Sequence, residues 1–210
     1  MIVLRFTGAD HREWLQGQVT NDVRHLPCKF GLCNINGGLV GLGELVADGD
    51  ATIARGNAAS MAALVGRVRT HVVLEDVAVE RLPDELEPDG WELASLEQGI
   101  PIFGVDTGPK TLLPELGAAI EASHVSYEKG CYVGQEILHR LHSRGETKTV
   151  WSGLLCDALI APGHYDGVWV TRSIVSPSFG PIAVGYVRRG ATELMLEGVM
   201  ARVVPLPFAG

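Results

Sequence analysis

The chain has 210 residues, 46% of them hydrophobic and 20% charged, with a formal net charge of −8. That length allows one large or two small domains and a substantial core, because a 150-residue domain already buries about 68–70% of its unfolded surface. The acidic balance argues against non-specific nucleic-acid binding and against an anionic membrane surface, so any anionic ligand needs a local basic cluster.

Residues 2–6 read as a strand and Thr7-Gly8-Ala9-Asp10 as a turn, with Asp10 the N-cap of a helix carrying Trp14, Leu15 and Val19. Thr20-Asn21-Asp22 ends that helix. Phe30 to Ile35 is extended, Asn36-Gly37-Gly38 is a hairpin turn, and Leu39 to Ala47 and Ala51 to Ala54 are strands around Asp48-Gly49-Asp50. Met61, Leu64, Val65 and Val68 share one side of a helix from Ala58 to Val68, and His71 to Val79 reads as a strand. Strand-helix-strand-strand-helix-strand is the ferredoxin-like split βαββαβ pattern, which makes the N-terminal part α+β.

Residues 81–90 are acidic, carry Pro83 and Pro88, and read as a linker or surface loop. Trp91 to Gln98 is a short helix or strand ended by Gly99-Ile100-Pro101, and Pro114 to Ile120 is another short helix. From Trp151 onward, β-rich segments at 151–155, 167–171, 182–187 and 199–204, punctuated by glycine or proline, predict a small C-terminal antiparallel β-barrel. The expected domains are therefore 1–145 and 146–210. No run approaches the ~20 apolar residues of a membrane span. Met1 to Phe6 has neither a basic n-region nor a small-residue cleavage site, so a cytoplasmic chain is expected.

The four cysteines, Cys28, Cys33, Cys131 and Cys156, are too few for a disulfide scaffold. Cys28 and Cys33 lack zinc-knuckle spacing and read with Cys156 as small apolar fillers. His139 and His142 lie on one helix without a third ligand at a convincing spacing, and solvent-facing histidines are the simpler reading, so no stable metal is expected. Cys131 differs. It sits in Lys129-Gly130-Cys131-Tyr132-Val133-Gly134-Gln135-Glu136, just ahead of a helix on which Val133, Ile137 and Leu141 recur. A nearby lysine and the unpaired N–H groups of a helix start both favour a thiolate. The alternative is a buried cysteine with only a packing role, and Tyr132 reads equally as packing or as a stacking surface.

K-G-C-Y-x-G-Q-E resembles the signature of the YgfZ family of folate-binding, iron–sulfur-linked proteins, relatives of the glycine-cleavage aminomethyltransferase (T-protein). Gly8-Ala9-Asp10, Trp14-Leu15-Gln16-Gly17-Gln18 and Val19-Thr20-Asn21-Asp22-Val23 are similar to the family's opening segment. Glu97-x-Gly99-Ile100-Pro101 is similar to its R-x-E-x-G-x-P segment, with Ser95 in the place of the arginine. Leu113-Pro114-Glu115, Arg144-Gly145 and Gly167-x-x-x-Thr171-x-Ser173 with Pro177 extend the likeness nearly end to end. Family members are usually much longer, which implies a shortened centre near 80–90.

The resemblance implies a tetrahydrofolate pocket amid a ring of subdomains. Glu97 would accept the paired N–H groups of the pterin, and Arg140 and Arg144 would hold the anionic tail. Asn21, Tyr132, Gly134, Gln135 and Glu136 would complete the pocket, with Cys131 and Lys129 as the chemical pair. It also implies an accessory role in assembly or repair of iron–sulfur clusters in client enzymes, radical-type tRNA-modifying ones among them. Aminomethyltransferases carry an acidic pair after the Gly-Gly turn, and this chain has Gly41 and Leu42 there. Loss of such a group typically costs ~10²–10⁴ in rate. Folate-dependent one-carbon transfer with Asp22 or Glu97 as base, and a ligand-free scaffold, remain as alternatives. The residues do not name client proteins or an oligomeric state.

Overall fold

The computed structural model describes residues 1–208. Its N-terminal part is built from β1 (Ile2–Thr7), α1 (His11–Gln18), β2 (Cys28–Cys33), β3 (Leu39–Asp48), β4 (Ala51–Gly56), α2 (Ala58–His71) and β5 (Ala78–Arg81), which form one five-stranded sheet in the order β2-β3-β4-β1-β5. The split pattern is present, with the β2–β3 hairpin contributing an added edge strand. That hairpin turns where the sequence requires it. Asn34 Oδ1 accepts from the amides of Asn36 and Gly38, and Gly37 takes a φ of +77°, a region open to glycine at no steric cost.

Helix α2 runs three residues beyond the expected Val68. Asn57 caps its start through Ser60 N–H, Arg69 and His71 occupy its last turn, and the strand expected from His71 begins only at Ala78. Residues 82–90 carry no regular element, and Arg55 Nε holds them to the sheet through Glu85 at 2.9 Å.

Three short helices follow, α3 (Trp91–Glu97), α4 (Ala118–His124) and α5 (Gln135–Arg144), with a 3-10 turn at Leu113–Leu116. The C-terminal sheet comprises β6 (Thr149–Cys156), β7 (Gly163–Tyr165), β8 (Val168–Ser176), β9 (Gly180–Arg188), β10 (Glu193–Leu196) and β11 (Val199–Val204). All its pairs are antiparallel, in the order β10-β11-β6-β9-β8-β7. The α+β class with an antiparallel half-barrel sheet is as the sequence predicts.

One core packs Phe6, Trp14, Leu15, Phe30, Leu45, Met61 and Leu64 between the first sheet and its two helices. A second joins the two halves of the chain: Leu39, Leu42, Leu96, Leu113, Tyr132 and Leu138 pack with Trp151, Ile182 and Tyr186. Burying a large side chain is worth about 1.5–3 kcal/mol, so this shared cluster binds the halves together.

Candidate functional site

A cleft of about 660 Å³ opens beside the first sheet. Lys29 on β2, Leu42 and Glu44 on β3 and Arg55 on β4 line it from the sheet. Trp91 on α3, the run Ile100 to Phe103, and Ile120 and His124 on α4 supply the rest of the lining used below. Small-molecule sites have this character: ~300–1,000 Å³, mostly apolar, with a few placed polar groups.

A buried ion pair fastens the wall formed by residues 95–106. Arg172 on β8 donates through Nε and Nη2 to the two carboxylate oxygens of Asp106 at 3.0 and 2.9 Å, through Nη1 to Ser95 Oγ and through Nη2 to the Ile100 carbonyl. Asp106 is 0% exposed and also accepts from Ile102 N–H at 2.7 Å and Thr171 Oγ1 at 2.5 Å.

His124 is the cleft's neutral base. Its Nδ1 lies 3.0 Å from the Ile120 carbonyl, which sets Nδ1 as the protonated nitrogen and leaves Nε2 with a lone pair. Burial pulls its pKa down to about 4, with the Ile120 carbonyl opposing and the Lys29 charge adding to the fall. The unfolded histidine protonates near 6.5, so between pH 6.5 and 4 the unfolded chain binds more protons. Stability is therefore fully present above pH 6.5 and falls as pH drops through that window, by on the order of 3 kcal/mol for a shift of this width. Urea midpoints at pH 7 and pH 4.5 should show the loss, and His124→Gln should remove most of it. An unchanged loss in that variant rejects the assignment.

The signature segment does not line this cleft. Lys129 is 5% exposed, and its Nζ donates to the carbonyls of Gln16 (2.5 Å), Val19 (2.7 Å) and Asn21 (3.0 Å). Burial pulls its pKa down to about 8. Val133 N–H reaches the Gly17 carbonyl at 3.4 Å. Asn21 Nδ2 donates to the Lys29 and Ser123 carbonyls, so this side chain stitches β2 to α4. Tyr132 is 7% exposed and packs in the shared core. Gly134 caps α5 at φ +85°, where a Cβ would stand 2.5 Å from the Asn34 carbonyl oxygen and 2.8 Å from Cys33 Cβ. Gln135 Nε2 faces His139 Nε2 at 3.0 Å, and Glu136, Arg140 and Arg144 are exposed on α5. Cys131 is exposed. Glu97 Oε1 accepts from Ser176 Oγ at 2.6 Å, and its backbone carbonyl accepts from Phe208 N–H.

No family model matches the chain. Over 104 residues it is 32% identical to the mitochondrial iron–sulfur cluster assembly factor IBA57 of Mus musculus, a match covering 49% of this chain and 29% of the mouse protein. The chain thus spans under a third of that relative's length. The crystal structure of the glycine cleavage system aminomethyltransferase T from Bartonella henselae superposes with a TM-score of 0.77 at 19% identity, covering 99% of this chain and 84% of that one. The chain has the fold of that aminomethyltransferase, and about half of it is similar in sequence to the mouse assembly factor.

Several expected roles change. Lys129 was expected to bias the Cys131 thiol, but its ammonium is committed to three carbonyls inside the protein. The helix expected to carry Val133 begins only at Gln135, beyond the left-handed Gly134, so Cys131 contributes no amide to the helix start. Glu97, Asn21, Tyr132, Gly134, Gln135, Glu136, Arg140 and Arg144 lie outside the cleft lining. The side chains of Glu97 and Asn21 already have partners within the fold.

Asp22, one candidate base, is held well below the usual carboxylate range by hydrogen bonds from Arg24, helped by Gln16. A carboxylate so stabilised is a poor proton acceptor. Cleft residues that the sequence reading passed over are Lys29, Glu44, Arg55 and His124. Glu44 lies two residues after Leu42 on the same strand, and the strand's two-residue period was the available signal. Among the described residues no group of three or more His, Cys, Asp or Glu is placed to hold a metal, and no helix is long and apolar enough to cross a membrane.

Proposed function

We propose that this chain is a cytoplasmic accessory factor for iron–sulfur cluster assembly that holds a reduced folate in the cleft beside β2–β4. The observation that carries the proposal is the cleft itself: about 660 Å³, with Trp91, Ile100, Phe103 and Leu42 beside the Glu44 carboxylate, which Lys29 and Arg55 flank. A flat pteridine fits apolar and aromatic walls, and its N–H edge and anionic tail need an acceptor and cations respectively. The 32% identity to a protein named as an iron–sulfur cluster assembly factor supports the biological half of the reading.

The exposed Cys131 thiol serves clients rather than the folate, as a transient sulfur or iron ligand, since it stands outside the cleft lining. Client enzymes that modify tRNA, and a division of the chain into 1–145 and 146–210, belong to the same proposal. One-carbon transfer is the weaker reading. Gly41 and Leu42 supply no acid, Asp22 is tied to Arg24, and Glu97 to Ser176.

Calorimetry with 5-formyltetrahydrofolate should show micromolar binding by the wild-type chain and equal binding by Cys131→Ala. In cells dependent on this chain, the same variant should lose support of iron–sulfur client activity. Client activity equal to wild type would reject the role given to the thiol, and formaldehyde release from a folate adduct would favour the transferase.

A further inference from the structure

The register of the first sheet puts Lys29 opposite Glu44 and Glu44 opposite Arg55. Directly paired residues in an antiparallel sheet project on the same face, about 4.5–5.5 Å apart. The three side chains therefore form a row of cation, carboxylate and cation, and all three line the cleft. Arg55 spends its Nε on Glu85, whereas Glu44 has no hydrogen bond or ion pair among the described residues. A half-buried carboxylate with free acceptors, set in an apolar cleft between two cations, is prepared for a ligand that brings its own N–H donors.

We propose that Glu44 is the residue that reads the 2-amino-4-oxo edge of a pteridine, with Lys29 donating to the ring's carbonyl oxygen. The inference rests on the folate reading above and changes its residues. The carboxylate that the resemblance assigns, Glu97, accepts from Ser176 and lies outside the cleft lining, where Glu44 is half-buried while Glu87 and Glu92 are exposed. The chemistry suits the pairing. A carboxylate accepts two parallel N–H bonds from the 2-amino group and the adjacent ring N–H. A 2,4-dioxo ring places an oxygen where the amino group was and meets the same carboxylate with repulsion. Glu44 thus sets specificity for the aminated ring, and its reach follows from the period of β3, which brings residue 44 onto the face of Leu42.

The test compares 6,7-dimethylpterin with 6,7-dimethyllumazine, alongside 5-formyltetrahydrofolate, by calorimetry on the full chain. Wild type should prefer the pterin by roughly 10–100-fold, the value of a charge-assisted pair of hydrogen bonds. Glu44→Gln should erase that preference, because an amide can donate to the lumazine oxygen, and it should fold normally since the side chain has no protein partner to lose. Glu97→Gln, which can still accept from Ser176, should retain the preference. If 5-formyltetrahydrofolate binds wild type but the preference survives in Glu44→Gln or vanishes in Glu97→Gln, this inference fails while the folate reading stands. If neither the folate nor the pterin binds wild type, both fail.

Discussion

Replacing Arg172 with methionine should destabilise the protein by about 3–5 kcal/mol, the cost of leaving one member of a buried ion pair without its partner. Asp106 is 0% exposed and keeps only Ile102 N–H and Thr171 Oγ1 once the guanidinium is gone. Those neutral donors do not offset a stranded charge in a low-dielectric site. For a chain of this size ~1 kcal/mol moves the melting midpoint by roughly 2–4 °C, so a drop near 10 °C is expected in calorimetric scans.

The double variant Arg172→Met/Asp106→Leu separates charge from packing. With both ions removed, most of the desolvation penalty disappears, and the double should be less damaged than the sum of the two singles. Additive losses would reject the pair as the cause. Arg172 also holds Ser95 and the Ile100 carbonyl, so the single variant loosens the cleft wall and should weaken ligand binding beyond its effect on stability.

What was legible in the sequence divides along contact distance. Turns, hairpins and periodic helices depend on neighbours. The β2–β3 hairpin and both sheets were therefore readable from glycine, asparagine and alternating apolar residues. The site was not, because its partners lie far apart in the chain. Ser176, which occupies Glu97, is 79 residues away, and Asp106 and Arg172 are 66 residues apart. The periodicity of Val133, Ile137 and Leu141 does not show the start of α5, because a left-handed Gly134 caps the helix and leaves Val133 outside it. Glu44 was readable in principle from strand period alone. It lies two residues beyond Leu42 on one face of β3, away from the Gly41 and Leu42 positions where the aminomethyltransferase acids stand.

Lys129 shows how a motif can mark a staple instead of a reactive centre, and Lys129→Met should confirm it. Two effects oppose each other. Removing a buried ammonium returns the cost of desolvating it, on the order of 3 kcal/mol for a pKa brought from 10.5 to about 8. Against this, three carbonyls lose a donor, at about 1–3 kcal/mol each. The carbonyl losses win, and a net destabilisation of about 3 kcal/mol is expected by urea titration. It should come with faster amide exchange near residues 19–22 and 126–133, the segments joined through this side chain and through the Ser126 N–H to Thr20 carbonyl bond.

The same burial sets a pH dependence for the wild type. Between pH 8 and 10.5 the unfolded lysine binds more protons than the folded one, so stability from this site rises with pH across that window and sits at its minimum below it. Lys129→Met should lack the rise. Because the ammonium holds the ends of two motif segments together, its loss should impair folate binding only to the extent that folding is lost, whereas a chemical partner of Cys131 would affect client activity at full stability. Measuring client activity of Lys129→Met at a temperature where it remains folded decides between them. Activity near wild type supports the staple, and its abolition returns Lys129 to the chemistry of the thiol.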